Sequence, residues 1–338
     1  MRGFAHLKLW ISLVVLGLAT NVSAWAQDAQ FTQLYASPLY GNPAFTGSLK
    51  QHRIAANFRN QWSGVPAPLV AYNASFDTYV DKYNSGLGVL LHRQSNSGAW
   101  NTTAASALYS FHLPISREWS VAAGTQLGYV WRNANISNLT FGYQSVGNGQ
   151  YTAVKDPLQA ASAQKRYFDM AVGFLAYSER AWFGLASHHL TRPDIGLENV
   201  DKQPIRYTLN AGYVMPLQDV KLLKKNQEVS RSLTPVLQFR HQGAADQLDL
   251  GVYLHYEALL AGMWYRGLPI KKGFGTINQD ALAFMLGTQI NSLTLGYSYD
   301  LAISGVTNAA GGSHEIGLVY LFGDPHQRRG PGLPCPKF

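Results

Sequence analysis

From Arg53 onward, bulky apolar residues and small or polar residues change places at every step. Val121, Ala123, Thr125, Leu127, Tyr129 and Trp131 take one face of a strand; Ala122, Gly124, Gln126, Gly128 and Val130 take the other. Leu250, Val252, Leu254 and Tyr256 oppose Asp249, Gly251, Tyr253 and His255, and Leu293, Leu295, Tyr297 and Tyr299 oppose Thr294, Gly296, Ser298 and Asp300. A period of two is a strand period. The pattern predicts strands over 52–61, 69–79, 85–93, 102–113, 119–132, 167–177, 181–190, 205–215, 233–240, 247–256, 259–266, 279–289, 293–300 and 314–322. Only Val220–Val229 offers a stretch of helical period.

Strands of about ten alternating residues fit a tilted membrane-spanning β-strand, and an even strand number fits a single-chain outer-membrane barrel. A soluble sandwich would use strands of about five to six residues and a more charged exposed face. The fold expected is therefore all-β: a transmembrane outer-membrane antiparallel β-barrel of about 14 strands over 52–322. The connections alternate between long (62–68, 94–101, 133–166, 191–204, 241–246, 267–278, 301–313) and tight (80–84, 114–118, 178–180, 257–258, 290–292). Long loops are external and short turns periplasmic in such barrels, which predicts both termini in the periplasm. Residues 216–232 break the alternation; with Lys221, Lys224, Lys225 and Arg231 they read either as a docking loop or as a loose turn.

The start of the chain is set apart. Arg2 and Lys8 precede the apolar run Leu9–Leu18, and Ala24-Trp25-Ala26 suits a cut before Gln27, so 1–26 reads as a signal peptide. The run is short of the ~20 residues of a membrane anchor, and no cysteine near the cut permits a lipoprotein. Charged residues are only 14% and aromatics 12%, whereas soluble domains carry about 25% charge. Much of the surface is thus expected to face lipid. The net charge of +8 does not imply nucleic acid in an exported chain. The single cysteine, Cys335, allows no internal disulfide and reads as a free thiol.

A search for chemistry yields none. Ser187-His188-His189 lacks a G-x-S-x-G frame, and its residues divide between two faces, as interfacial polar residues would. His314-Glu315 has no second histidine at zincin spacing, no His or Cys cluster has metal spacing, and Gly147-Asn148-Gly149 is a turn. No enzyme, cofactor or small-molecule substrate is expected. The lumen-facing glycines Gly88, Gly124, Gly128, Gly173, Gly212, Gly251, Gly287, Gly296 and Gly317 imply either sheet curvature or a second backbone inside the barrel. Residues 27–51 are the plug-like candidate. They have no strand period, yet they carry Phe31, Tyr35, Tyr40 and Phe45, which need burial and are expected to dock inside or across the periplasmic mouth of the barrel or bind a partner. The tail 323–338, with Arg328, Arg329 and repeated prolines, is expected to hang in the periplasm within reach of partners.

QFTQLYASPLYGNPAFTGS (30–48), Arg59-Asn60-Gln61-Trp62, GLGV (86–89), GMWYR (262–266), GYSYD (296–300) with Ser304, GSHEIGLVYLF (312–322) and the final CPKF together resemble the PorP/SprF membrane proteins of the type IX secretion system, over essentially the whole mature length. The resemblance implies a non-enzymatic outer-membrane barrel that helps secrete or surface-anchor an exported cargo such as an adhesin, in the manner of gliding-type bacteria. It also implies, as partners, the periplasmic core of the machine and a peptidoglycan-binding lipoprotein. Apart from the resemblance, a passive or gated transport channel would also use a polar lumen and long loops, while an outer-membrane hydrolase lacks its residues.

Overall fold

Alternation of this kind can be satisfied only if every strand finds two neighbours, and the sheet does so by closing. The computed structural model describes residues 28–65, 68–96, 100–134, 145–147, 150–151, 164–196, 200–217, 231–268, 281–303, 311–323 and 335. Its fourteen long strands are β1 (His52–Gln61), β2 (Leu69–Val80), β3 (Ser85–Asn96), β4 (Trp100–Pro114), β5 (Ser120–Ala134), β6 (Gln164–Tyr177), β7 (Ala181–His188), β8 (Arg206–Tyr213), β9 (Arg231–Gln242), β10 (Ala245–Tyr256), β11 (Leu259–Arg266), β12 (Ala281–Ile290), β13 (Leu293–Ala302) and β14 (Ser313–Phe322). Each pairs antiparallel with the next. The last returns to the first through ten residue pairs, from His52↔Phe322 to Gln61↔Ser313. The result is a closed barrel with no free edge.

Its surface is inverted relative to a soluble protein. Phe168 is 73% exposed and Leu286 65% on the outer face, while lumen-facing Glu315 is 0% exposed. Exposed rings and buried carboxylates in one wall fit lipid outside and a packed polar interior. Aromatic bands mark two levels. His52, Phe76, Tyr320 and Phe322 stack on one another at one rim, and Phe58–Tyr72 and Tyr129 with Trp131 and Phe168 form contacts towards the other. Phe322 thus ends a strand in an aromatic girdle.

The end carrying His52 and Phe322 also carries the tight turns; the opposite end carries most of the long connections. Two connections read as loops are shorter than the sequence suggested. β3 and β4 run on to Asn96 and from Trp100, and β9 and β10 are joined by Gly243-Ala244 alone. Gly243 takes φ +62°, a left-handed conformation that suits a two-residue hairpin turn. β7 stops at His188, where residue 190 was expected, because His189 turns out of the strand at φ +61°. The Val220–Val229 stretch lies outside the described residues.

The lumen is occupied by residues 28–50. They form three short turns: a 3₁₀ turn Leu34–Ala36, an α turn Pro38–Gly41 and a 3₁₀ turn Pro43–Phe45. The sequence dictates their brevity. Pro38 and Pro43 each open a turn, where their missing N–H costs nothing, and Asn42 Oδ1 accepts from the Ala44 N–H at 2.9 Å as the second turn gives way to the third. The segment runs lengthwise through the barrel. Asp28 meets His189, Arg206 and Gln242 at the long-loop end, and Gly47 meets Asp77 at the tight-turn end. It therefore lies inside the barrel, one of the two placements the sequence suggested, and runs on to the far end, so that the first described residue lies at the end opposite His52. The tail does not simply hang: Cys335 is 2% exposed and its N–H donates to the Ser48 carbonyl at 2.9 Å.

Candidate functional site

The polar wall of the lumen is built around that segment, most densely at Thr32 and Gln33. Glu315 of β14 accepts from both backbone N–H groups, at 2.7 and 3.0 Å. Arg59 of β1 donates to Glu315 at 3.1 Å and to Asp300 of β13 at 2.6 Å. Arg266 of β11 donates to Asp300 at 2.7 Å and to Asp249 of β10 at 3.0 Å, and Arg240 of β9 to Asp249 at 2.8 Å. Three guanidinium groups alternate with three carboxylates, so the chain of charges is balanced. Charges out of water must be paired and hydrogen-bonded, and breaking one pair leaves the other member stranded. The Thr32 hydroxyl sits at the centre: it donates to Asp300 at 3.0 Å and accepts from Arg59 at 2.9 Å and Arg266 at 3.0 Å. Gln33 Nε2 donates to the Glu315 carbonyl at 3.1 Å, and Tyr35 donates to Gln33 Oε1 at 2.9 Å.

A second cluster holds the start of the segment. Asp28 bonds His189 Nε2 at 2.7 Å and Arg206 at 2.7 Å, while His189 Nδ1 bonds Asp169 at 2.6 Å. Burial would lower the His189 pKa, but the charge of Asp28 and the hydrogen bonds to Asp169 and Asp28 raise it to about 9. Burial would raise that of Asp28, but His189 and Arg206 hold it well below the usual carboxylate range. Arg206 also donates to the Tyr40 carbonyl at 3.1 Å and lies over the Tyr40 ring at 4.8 Å. His189, read from the sequence as an interfacial polar residue, is instead a lumenal contact. Its left-handed backbone swings it from the face its strand position would give.

At the tight-turn end Arg53 and Asp77 pair at 2.7 Å, Asp77 accepts the Gly47 N–H at 2.7 Å, and Arg53 donates to the Phe45 carbonyl at 3.1 Å. Between the ends the segment presses on the wall itself. A Cβ added at Gly124 would stand 2.5 Å from Ala44 N, and one at Gly173 would collide with the Asn42 side chain. Gly212 and Gly251 have another cause, since the rings of Trp182 and Trp264 occupy their space. The lumenal glycines thus serve both a second backbone and neighbouring aromatic side chains.

The rings singled out in the sequence are brought together inside. Phe31 meets Tyr40 edge-on at 5.2 Å, Tyr35 meets Tyr253 at 6.2 Å, and Phe45 is buried in the main core. All four belong to the segment–wall packing. Lys224, Lys225, Arg328 and Arg329 lie outside the described residues. Sequence reading missed Arg59, Arg240, Asp249, Arg266, Asp300 and Glu315 as one network; the available signal was charge at lumen-facing registers of a chain poor in charge. Among the described residues no group of His, Cys, Asp and Glu could hold a metal ion.

Among solved structures, the chain is similar in fold to the Acinetobacter baumannii outer membrane protein Omp33, at 10% identity over 82% of this chain and 100% of that one, TM-score 0.42. It is similar also to the P. putida toluene transporter TodX, at 10% identity over 86% and 94%, TM-score 0.47. A third is a mutant of the Rh. blastica porin, at 10% identity over 80% and 99%, TM-score 0.33. No curated protein matches. Among protein families, residues 23–320 match the type IX secretion system membrane protein PorP/SprF. Arg59, Arg266, Asp300 and Glu315, which lie in the resembling motifs, are the same residues that converge on Thr32. The chain belongs to the PorP/SprF family, the outer-membrane barrels of the type IX secretion system.

Proposed function

We propose that this protein is a non-conducting scaffold of the type IX secretion system, a barrel sealed by residues 28–50 that assists the secretion or surface anchoring of an exported, adhesin-like cargo. The observation that carries the reading is the occupied lumen. Three sets of buried charges and backbone contacts hold the segment from Asp28 to Gly47, which is more than a dispensable linker requires. In this reading 1–26 is a cleaved signal peptide and the tight-turn end faces the periplasm. The face there, with 216–232 carrying Lys224 and Lys225 and the tail carrying Arg328 and Arg329, meets the periplasmic core of the machine and a peptidoglycan-binding lipoprotein. The protein acts by binding and carries out no catalysis.

The test is a chromosomal deletion of 29–46 that keeps the signal peptide. No strand is removed, so the barrel is expected in the outer membrane at normal level while cargo no longer reaches the cell surface. Normal cargo display by an inserted, segment-less barrel would contradict the proposal.

A further inference from the structure

Residues 28–40 do not fill the long-loop half of the lumen completely. A cavity of about 110 Å³ remains between Asp28 and Tyr40 and the wall made by β3 to β8. Liquid water takes about 30 Å³ per molecule, so the space admits a solute of a few heavy atoms.

The wall of this cavity is incompletely satisfied. His92 Nδ1, Gln126 Oε1, Arg132 Nε and Arg206 Nε line it or belong to residues that do, and each is buried with no hydrogen-bond partner among the described residues. Buried polar atoms are normally bonded, and a group of them on one cavity calls for an occupant. Charge is also unbalanced. Arg53, Arg59, Arg206, Arg240 and Arg266 each have a carboxylate partner. Arg132 has no carboxylate partner among the described residues; partly exposed, its guanidinium hydrogen-bonds the Tyr167 side chain and lies 4.4 Å over the Trp100 ring. Asp28 and Asp169, the acids on this cavity, are engaged by His189 and Arg206.

The deficits differ in kind. Arg132 needs an anion, preferably a planar one that accepts two N–H groups. Gln126 gives its Nε2 to Ser106 at 3.0 Å and retains an unpaired carbonyl oxygen, which needs a donor. Water would answer the oxygen and leave the charge; chloride would answer the charge and leave the oxygen. We infer that the cavity binds a small monocarboxylate that also carries a hydroxyl or amide N–H, with the carboxylate on Arg132 beside Trp100 and the donor on Gln126 Oε1. The chemistry is shared by a free hydroxy acid and by the end of a peptide. The inference stands apart from the secretion role, since neither Arg132 nor Gln126 holds residues 28–50.

Calorimetry on the purified full-length barrel in detergent, with glycolate, N-acetylglycine, acetate and chloride as probes, tests it. Glycolate or N-acetylglycine is expected to bind saturably, the tighter of the two naming the source, with acetate about threefold or more weaker for want of a donor. Arg132→Gln should weaken binding about tenfold or more, a lost charge-assisted bond. Gln126→Leu should abolish the preference over acetate while retaining binding. A heat-modifiable band establishes that each variant is folded. No saturable binding of either acid, equal binding of chloride, or unchanged affinity in Arg132→Gln would overturn the inference.

Discussion

The Thr32 hydroxyl donates one hydrogen bond and accepts two, which exhausts its capacity. Thr32→Val keeps the shape and strands three charged partners, so it should destabilise the seated segment by about 1–3 kcal/mol. Glu315→Gln should cost more, about 3–5 kcal/mol, because Arg59 loses a buried counter-charge. Both are read as a fall in the temperature at which the folded electrophoretic band is lost, with Glu315→Gln the lower. Asp28 and His189 add a pH dependence. The His189 pKa is raised to about 9 from an ordinary 6.5, so its stabilisation is complete below the ordinary value and is lost as pH rises through about 9. Asp28 is depressed, so its share is present above the ordinary carboxylate value and lost as pH falls below it. Current noise from a segment lifting off should therefore rise between pH 8 and 10, and His189→Gln should show that noise already at pH 7. These contacts were not legible in the sequence. Arg59, Asp300 and Glu315 could each be placed on the lumenal face by counting, but pairing them needs the closure of β1 on β14.

Strands were the most legible elements, because a lipid-facing row must be apolar at every second position. Leu127→Arg should cost about 2–4 kcal/mol near the bilayer midplane and impair assembly, whereas Gln126→Arg, facing the lumen, should be much milder. Equal loss of the folded band in both would contradict the register. Where the strands leave the lipid, the signal fades. Gln94-Ser95-Asn96 and Trp100-Asn101 are polar enough to read as loop, yet they continue the β3–β4 ladder down to Asn96↔Trp100. The lumenal segment was legible only as a need for burial, and its route was not, since turns opened by Pro38 and Pro43 have no period. Gly124→Leu tests that route: the barrel should assemble, but the side chain would enter the space of Pro43 and Ala44 and displace the segment. Unchanged protection of 28–50 from added protease would show that the backbone does not pass there.

For the whole molecule, the fold reconciles a membrane exterior with an interior more charged than most protein cores by placing a second stretch of its own chain inside. The charges on β1, β9, β10, β11, β13 and β14 pair directly with one another, and Arg59, Arg266, Asp300 and Glu315 among them also bond that stretch at Thr32. On the proposed reading, a barrel with the segment seated is closed and one without it is a pore. Single-channel recording in planar bilayers reads that difference directly. The full-length protein should be silent at neutral pH, and the form lacking 29–46 should conduct steadily. A full-length protein that conducts as well as the deleted form would contradict the account.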